Sequence, residues 1–133
     1  MTERYFTPAE VEALIPALTG IMQGVMEAHA EAAALRERMQ AEQQRIALVG
    51  GGVIDAATWR AERQRLDRLA ERMQRGLGEV VSLGGVPKDV SMGLVDFPHR
   101  RAGEIVNLCW KYGERVIRFW HGLDEGYAAR RPL

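Results

Sequence analysis

The sequence predicts an α+β fold in which a long antiparallel helical hairpin, coiled-coil-like, packs with a small C-terminal antiparallel β-sheet. Two observations support this prediction. Apolar residues recur every seven positions through two stretches separated by three consecutive glycines, and after residue 104 β-branched and aromatic runs replace that pattern. Because 133 residues is the length of one domain, we expect residues 1–133 to form a single domain. The hairpin should occupy about residues 8–83 and the sheet about residues 86–133.

The first helix has a clear start signal. Thr7 followed by Glu10 forms a capping-box pattern, and Pro8 is tolerated at the first helical position. Pro16 lacks an amide hydrogen and crowds the preceding turn. We therefore expect a bend there, with residues 10–15 forming either a separate short helix or the kinked first turns of a longer one.

Two long helices follow from the heptads. In residues 17–49 and 55–83 the apolar positions recur by seven, while Glu, Arg and Gln occupy the positions between them. Gly50 to Gly52 can supply the left-handed conformations that end a helix, and Asp55 can cap the helix that follows. A short connection between two long helices predicts that they lie antiparallel. The seven-residue series are Leu18, Val25, Ala32, Met39 and Ile46 in the first helix, and Trp59, Leu66, Met73 and Val80 in the second.

The C-terminal part predicts three antiparallel strands. Residues 105–112 and 116–121 flank Gly113-Glu114, a pair suited to a two-residue type II′ turn. That turn would place Val106 opposite His121 and would put His121 on the face that packs on the helices. Cys109 would then lie on the other face. Residues 93–98 predict a third, short strand that ends at its proline.

The composition argues against several classes of function. Lys plus Arg and Asp plus Glu each number 18, so no overall charge favours nucleic acid or an anionic membrane. No apolar stretch approaches the roughly 20 residues that span a bilayer, and the first residues do not resemble a signal peptide. We therefore expect a cytoplasmic protein that binds neither nucleic acid nor membrane. A single cysteine, Cys109, excludes an internal disulfide.

The segment F-W-H-G-L-D-E-G-Y, residues 119–127, carries the candidate site. His121, Asp124 and Glu125, with Asp96 from a neighbouring strand, could bind a divalent ion such as Zn, Fe or Mn. Water bound to that ion could act as a nucleophile. The alternative is a core histidine beside an ordinary turn, with the two acids in solvent or paired with Arg130 and Arg131.

Three further possibilities remain open. Cys109 could be a nucleophile or a small packed residue. An apolar pocket with His121 pointing into it could hold haem or another flat cofactor. The hairpin could be an interaction or scaffold module, because Met39, Ile46, Trp59 and Met73 lie too far along it for a small sheet to cover. We expect a homodimer that buries these side chains, and a protein partner is also possible.

Several short segments together resemble one protein family. Tyr5-Phe6-Thr7 is followed, in order, by G-L-V-D-F-P (93–98), L-C-W (108–110), Gly113-Glu114, F-W-H (119–121), D-E-G (124–126) and R-P-L (131–133). These segments resemble the bacterial domain-of-unknown-function family DUF2203. The resemblance implies paired long helices with a small antiparallel sheet, and it implies no reaction.

Overall fold

The computed structural model describes residues 4–50 and 55–133. Two long helices are followed by antiparallel strands, which confirms the predicted α+β class. In chain order the elements are α1 (Pro8–Val49), α2 (Ala56–Ser82), β1 (Val86–Asp89), β2 (Leu94–Arg101), β3 (Glu104–Lys111), β4 (Phe119–His121), a 3₁₀ turn (Tyr127–Ala129) and β5 (Arg131–Pro132). None of the described helices is both long enough and apolar enough to cross a membrane.

The predicted helix caps are present. Thr7 Oγ1 accepts a hydrogen bond from the amide of Glu10 at 3.2 Å, and Glu10 Oε1 accepts one from the amide of Thr7 at 3.0 Å. Asp55 Oδ1 accepts the amide of Ala57 at 3.0 Å. Gly50 ends α1 with φ of 71°, the left-handed conformation that glycine adopts without strain. The other two predicted glycines of that connection, residues 51 and 52, lie outside the described residues.

Pro16 does not separate a short helix from α1. The helix runs through it from Pro8 to Val49, so of the two predicted alternatives the structure has the single longer helix.

The hairpin closes on itself. Small residues on α1, Ala28 and Ala32, pack against Leu69 of α2, and Met39 is buried within the chain. Interhelical ion pairs border this seam, for example Arg65–Glu31 at 2.7 Å. These pairs are exposed, so each contributes at most about 1 kcal/mol. The helices themselves therefore cover part of the apolar surface that the sequence assigned to a second copy.

The sheet has five strands rather than the three predicted. All neighbours are antiparallel, in the order β1-β2-β3-β4-β5. Pattern reasoning missed β1 and β5 because four and two residues are too few to show a period of two.

The prediction that Pro98 ends its strand is also wrong. The strand β2 continues to Arg101 and pairs with β3 along its length. The Pro98 carbonyl accepts the amide of Phe6 at 2.7 Å, so the backbone of Pro98 faces the N-terminal segment and its missing N–H removes no bond to β3. Ala102 and Gly103, with φ of 51° and 82°, make the turn into β3.

The predicted two-residue turn at Gly113-Glu114 is wrong, and the error changes the faces of the sheet. Residues 112–118 connect β3 to β4, and His121 pairs with Asn107 rather than with Val106. A shift of one residue moves every side chain of a strand to the opposite face. His121 therefore shares a face with Cys109 and does not face the helices.

The helix-facing side of the sheet forms the main core. It carries Val95 and Phe97 from β2 with Leu108 and Trp110 from β3, all with 0 % of their surface exposed. This face packs on the helices. The residues of α1, α2 and the N-terminal segment in the same cluster are Phe6, Val11, Ile15, Leu18, Met22, Val25 and Val80.

Candidate metal centre

Three potential ligands converge on the sheet face that points away from the helices. Asp96 of β2 pairs directly with Cys109 of β3, and His121 of β4 pairs with Asn107, two residues from Cys109. Residues two apart on a strand share a face. Adjacent strands thus bring a carboxylate, a thiol and an imidazole onto one side of the sheet.

The three side chains are buried and close together. Asp96 and Cys109 are 1 % exposed and His121 is 2 % exposed. His121 Nε2 lies 3.1 Å from Asp96 Oδ1 and 3.0 Å from Oδ2. One ligand atom from each residue can be chosen so that all three lie within 4.8 Å of one another. Among the described residues this is the group of His, Cys, Asp and Glu side chains whose spacing could hold a metal ion.

A backbone hydrogen bond orients the imidazole. His121 Nδ1 lies 2.8 Å from the carbonyl oxygen of Gly122. A carbonyl only accepts, so Nδ1 carries the hydrogen, and in a neutral ring the lone pair of Nε2 points towards the carboxylate of Asp96. Two acceptors at 3.0 Å need a positive centre between or beside them. Either a proton shared by the two groups or a metal ion provides one.

The Asp96 carboxylate is incompletely satisfied. One ring nitrogen can donate to only one of its oxygens, and Oδ2 has no hydrogen-bond partner within the described part of the chain. A buried carboxylate oxygen without a partner is destabilising. A cation bound beside Nε2 would satisfy that oxygen.

The thiol of Cys109 is held in its protonated form. Burial and, next in size, the negative charge of Asp96 together raise its pKa to about 12, while the Arg130 guanidinium acts in the opposite direction. A thiol with this pKa is inert as a nucleophile at neutral pH. A bound metal would remove the proton, because thiolate is the form that binds metals.

The three residues do not form a nucleophilic triad. Such a triad needs one ring nitrogen of the histidine on the thiol and the other on the acid. Here Nε2 faces Asp96 and Nδ1 binds the Gly122 carbonyl. No nitrogen of His121 is left to act as a base for Cys109. This geometry favours the packed-residue alternative for Cys109 over the nucleophile.

Two of the four ligands predicted from the sequence lie elsewhere. Asp124 and Glu125 are both exposed. Glu125 Oε1 accepts the amide of Gly122 at 2.8 Å, and its Oε2 pairs with Arg131 at 2.7 Å. The structure therefore brings His121 and Asp96 together and leaves the two turn acids in solvent or paired with arginine.

Sequence reasoning missed Cys109 as a metal ligand because it assigned the wrong register to β3 and β4. With the two-residue turn, Cys109 and His121 fall on opposite faces. Shifting the pairing by one residue puts Asp96, Cys109 and His121 on one face, so a comparison of both registers for converging ligand residues would have found the cluster.

The donor set fits a borderline-soft transition metal. Thiolate sulfur, imidazole nitrogen and carboxylate oxygen are all zinc ligands, and three protein ligands leave the fourth tetrahedral position open. The Nδ1 hydrogen bond to a backbone carbonyl is also the usual outer support of a metal-binding histidine. Haem is disfavoured because the nitrogen that would bind its iron faces Asp96 at 3.0 Å.

Comparison with known proteins gives one family and no individual relative. A family model described as "Uncharacterized conserved protein (DUF2203)" matches residues 4–133. Searches of curated proteins and of solved structures gave no match. Since the family model covers nearly the full chain, this protein belongs to the DUF2203 family.

Proposed function

We propose that this protein binds one transition-metal ion, zinc foremost, through Asp96, Cys109 and His121. The observation that carries the proposal is the orientation of His121. Its Nδ1 is committed to the Gly122 carbonyl, so Nε2, which faces the buried Asp96 carboxylate beside the thiol, is the nitrogen available to a metal ion. A metal ion would meet the requirements of all three groups at once.

The ligand set also indicates which ions fit. A thiolate prefers zinc or iron(II) to the harder manganese ion, and it disfavours magnesium and calcium, which take oxygen ligands. The negative charges of one thiolate and one carboxylate would balance a divalent ion. This balance matters because an uncompensated charge at a site that is 1–2 % exposed is strongly destabilising. No reaction is assigned to the site.

Metal analysis of protein purified without an affinity tag tests the proposal. We expect near-stoichiometric zinc in the wild type and its loss in Cys109→Ser and His121→Ala. Asp124→Ala and Glu125→Ala are matched controls, because both acids are exposed and lie outside the proposed ligand set; they should retain the metal. Loss of metal in these two variants would instead support the set predicted from the sequence.

Cobalt substitution adds a direct test of the sulfur ligand. Cobalt(II) in the site should give a near-ultraviolet thiolate-to-metal charge-transfer band that Cys109→Ser abolishes. If the wild type, reconstituted with micromolar free zinc, holds no metal, the proposal is wrong. The buried pair of Asp96 and His121 would then share a proton and have a structural role.

A dimeric interaction module is the second candidate. One observation favours it: Leu48 and Val49, at the end of α1, are 88 % and 70 % exposed. At 42 residues, α1 is about 63 Å long, more than twice the roughly 27 Å of an eight-residue strand. Apolar side chains at the far end of such a hairpin suit a second copy or a protein partner. A monomer mass from light scattering at micromolar concentration would exclude the homodimer.

A further inference from the structure

The proposed metal site is covered by the last residues of the chain. We call residues 122–133 the C-terminal strap. It begins at Gly122, whose carbonyl accepts from His121 Nδ1 at 2.8 Å, and it ends at Leu133, whose amide donates to the Arg118 carbonyl at 2.9 Å. Between these points Arg130 lies over the ring of Phe119, and the ring of Tyr127 lies beside Lys111. Phe119 and Lys111 are two residues from His121 and Cys109, so the strap contacts the sheet face that carries the site. The positive charge of Arg130, a strap residue, acts on the Cys109 thiol and lowers its pKa.

The backbone holds the strap weakly. Its strand β5 has two residues, which pair Phe119 with Pro132 and Trp120 with Arg131. Most of the strap residues are exposed or half-buried. A segment with so few backbone bonds and so little buried surface opens at a lower free energy than the whole fold.

Side chains supply the main attachment. Arg130 Nη1 lies 3.1 Å and 3.0 Å from the two carboxylate oxygens of Glu114, in the connection before β4. The Arg130 guanidinium is also 4.3 Å from the ring centroids of Phe119 and Tyr127. The side chains of the ion pair are only 13 % and 25 % exposed, so solvent screens this pair less than the exposed pairs on the helices.

We propose that the C-terminal strap is an opening cover, and that the Arg130–Glu114 ion pair is the latch that sets how fast a metal enters and leaves. This inference rests on the proposed metal site, because without a metal the cover would have no ion to admit or release. Ligands that are 1–2 % exposed cannot exchange an ion with solvent while the cover is closed. Opening the strap exposes them and leaves the helix-facing core intact.

Opening of the cover can be measured at Cys109 in protein that contains no metal. It is the chain's single cysteine, so the rate of its alkylation by iodoacetamide in metal-free protein measures how often the cover opens. Glu114→Gln keeps an acceptor for the Lys111 amide, which Glu114 Oε1 binds at 2.6 Å, but removes the charge that Arg130 needs. We expect the rate to rise about tenfold to a hundredfold, the effect of losing a charged hydrogen bond.

Two variants serve as controls. Glu125→Gln removes a charge that contacts Gly122 and Arg131, both of which belong to the strap, so it should change the rate less than twofold. Leu69→Ala weakens the helix seam far from the strap, and it should lower global stability to urea without changing the rate. Equal acceleration by Leu69→Ala and Glu114→Gln would mean that the thiol reacts only through global unfolding, and the cover would be disproved.

Metal exchange completes the test. In zinc-loaded protein we expect Glu114→Gln to speed both zinc loading and transfer of zinc to a chelator, while affinity changes much less than either rate. Slower loading, or weaker affinity with unchanged loading, would show that Glu114 only supports the ligands. If wild-type protein binds no zinc, the proposed function is wrong. The rates of thiol alkylation then decide by themselves whether the strap is an opening cover. If zinc binds but Glu114→Gln alkylates at the wild-type rate, the cover alone is wrong.

Discussion

Gly76 of α2 offers the sharpest test of the helix packing. A Cβ built on Gly76 would overlap Cγ2 of Val25 on α1, and it would lie 3.7 Å from Ile21 Cγ2. Val25 is 1 % exposed, so its side chain has little room to move. Gly78, two residues further along the same helix, has no heavy atom within 4 Å of such a Cβ. The two glycines are therefore a matched pair with opposite surroundings.

The expected magnitudes follow from two opposing effects. Alanine is favoured over glycine inside a helix by about 1 kcal/mol, so Gly78→Ala should raise the free energy of unfolding by about that amount. Gly76→Ala gains the same propensity but forces an extra methyl into a packed seam, which costs about 1–3 kcal/mol. We expect Gly76→Ala to be less stable than Gly78→Ala by about 1–3 kcal/mol. Adding Val25→Ala to Gly76→Ala should relieve part of the strain.

Urea denaturation followed by circular dichroism measures these differences. The double variant and its two single variants form a cycle in which Val25→Ala should destabilise the Gly76→Ala background less than the wild type. If Gly76→Ala stabilises the protein as much as Gly78→Ala does, α1 and α2 do not approach as closely as described.

Two further predictions concern local structure. Hydrogen bonds from Thr58 and from backbone amides hold the pKa of Asp55 below its usual value of 3.8. The stabilising effect of Asp55 is therefore fully present above the unfolded-state pKa and is lost as pH falls through the folded-state pKa. Urea titrations at falling pH should show that Asp55→Asn loses less stability on acidification than the wild type does. Gly84→Ala should destabilise the protein more than Gly113→Ala. Both glycines have φ of 99°, a conformation that costs alanine about 1–2 kcal/mol. Only at Gly84 would the new Cβ also clash with a side chain, the ring of Phe6. Equal losses in these two variants would refute the close approach of Phe6.

Only part of the candidate site could be predicted from sequence patterns. His121 and Asp96 were predicted as ligands because imidazole and carboxylate are common metal donors, and the structure places them 3.0 Å apart. Asp124 and Glu125 were predicted on nearness in sequence, and the structure leaves both exposed. Nearness along the chain is a poor guide in a turn, where successive side chains point in different directions.

The sequence by itself determined the helices and their ends. The capping box at Thr7, the cap at Asp55 and the glycine at residue 50 act on residues at most four positions away, and heptads predict a helix pair because burial follows the helical period. Local interactions of this kind can be read without knowing the rest of the fold.

Only the tertiary structure decided the register of β4, and with it the cluster of Asp96, Cys109 and His121. The connection before β4 is shaped by Glu114, which accepts the amide of Lys111. It is also held by Glu12 of α1, whose carboxylate accepts the amide of Ile117 at 3.0 Å across 105 positions of sequence. A contact that distant cannot be read from a strand pattern, and because side chains alternate with a period of two, the one-residue shift decided which face His121 occupies.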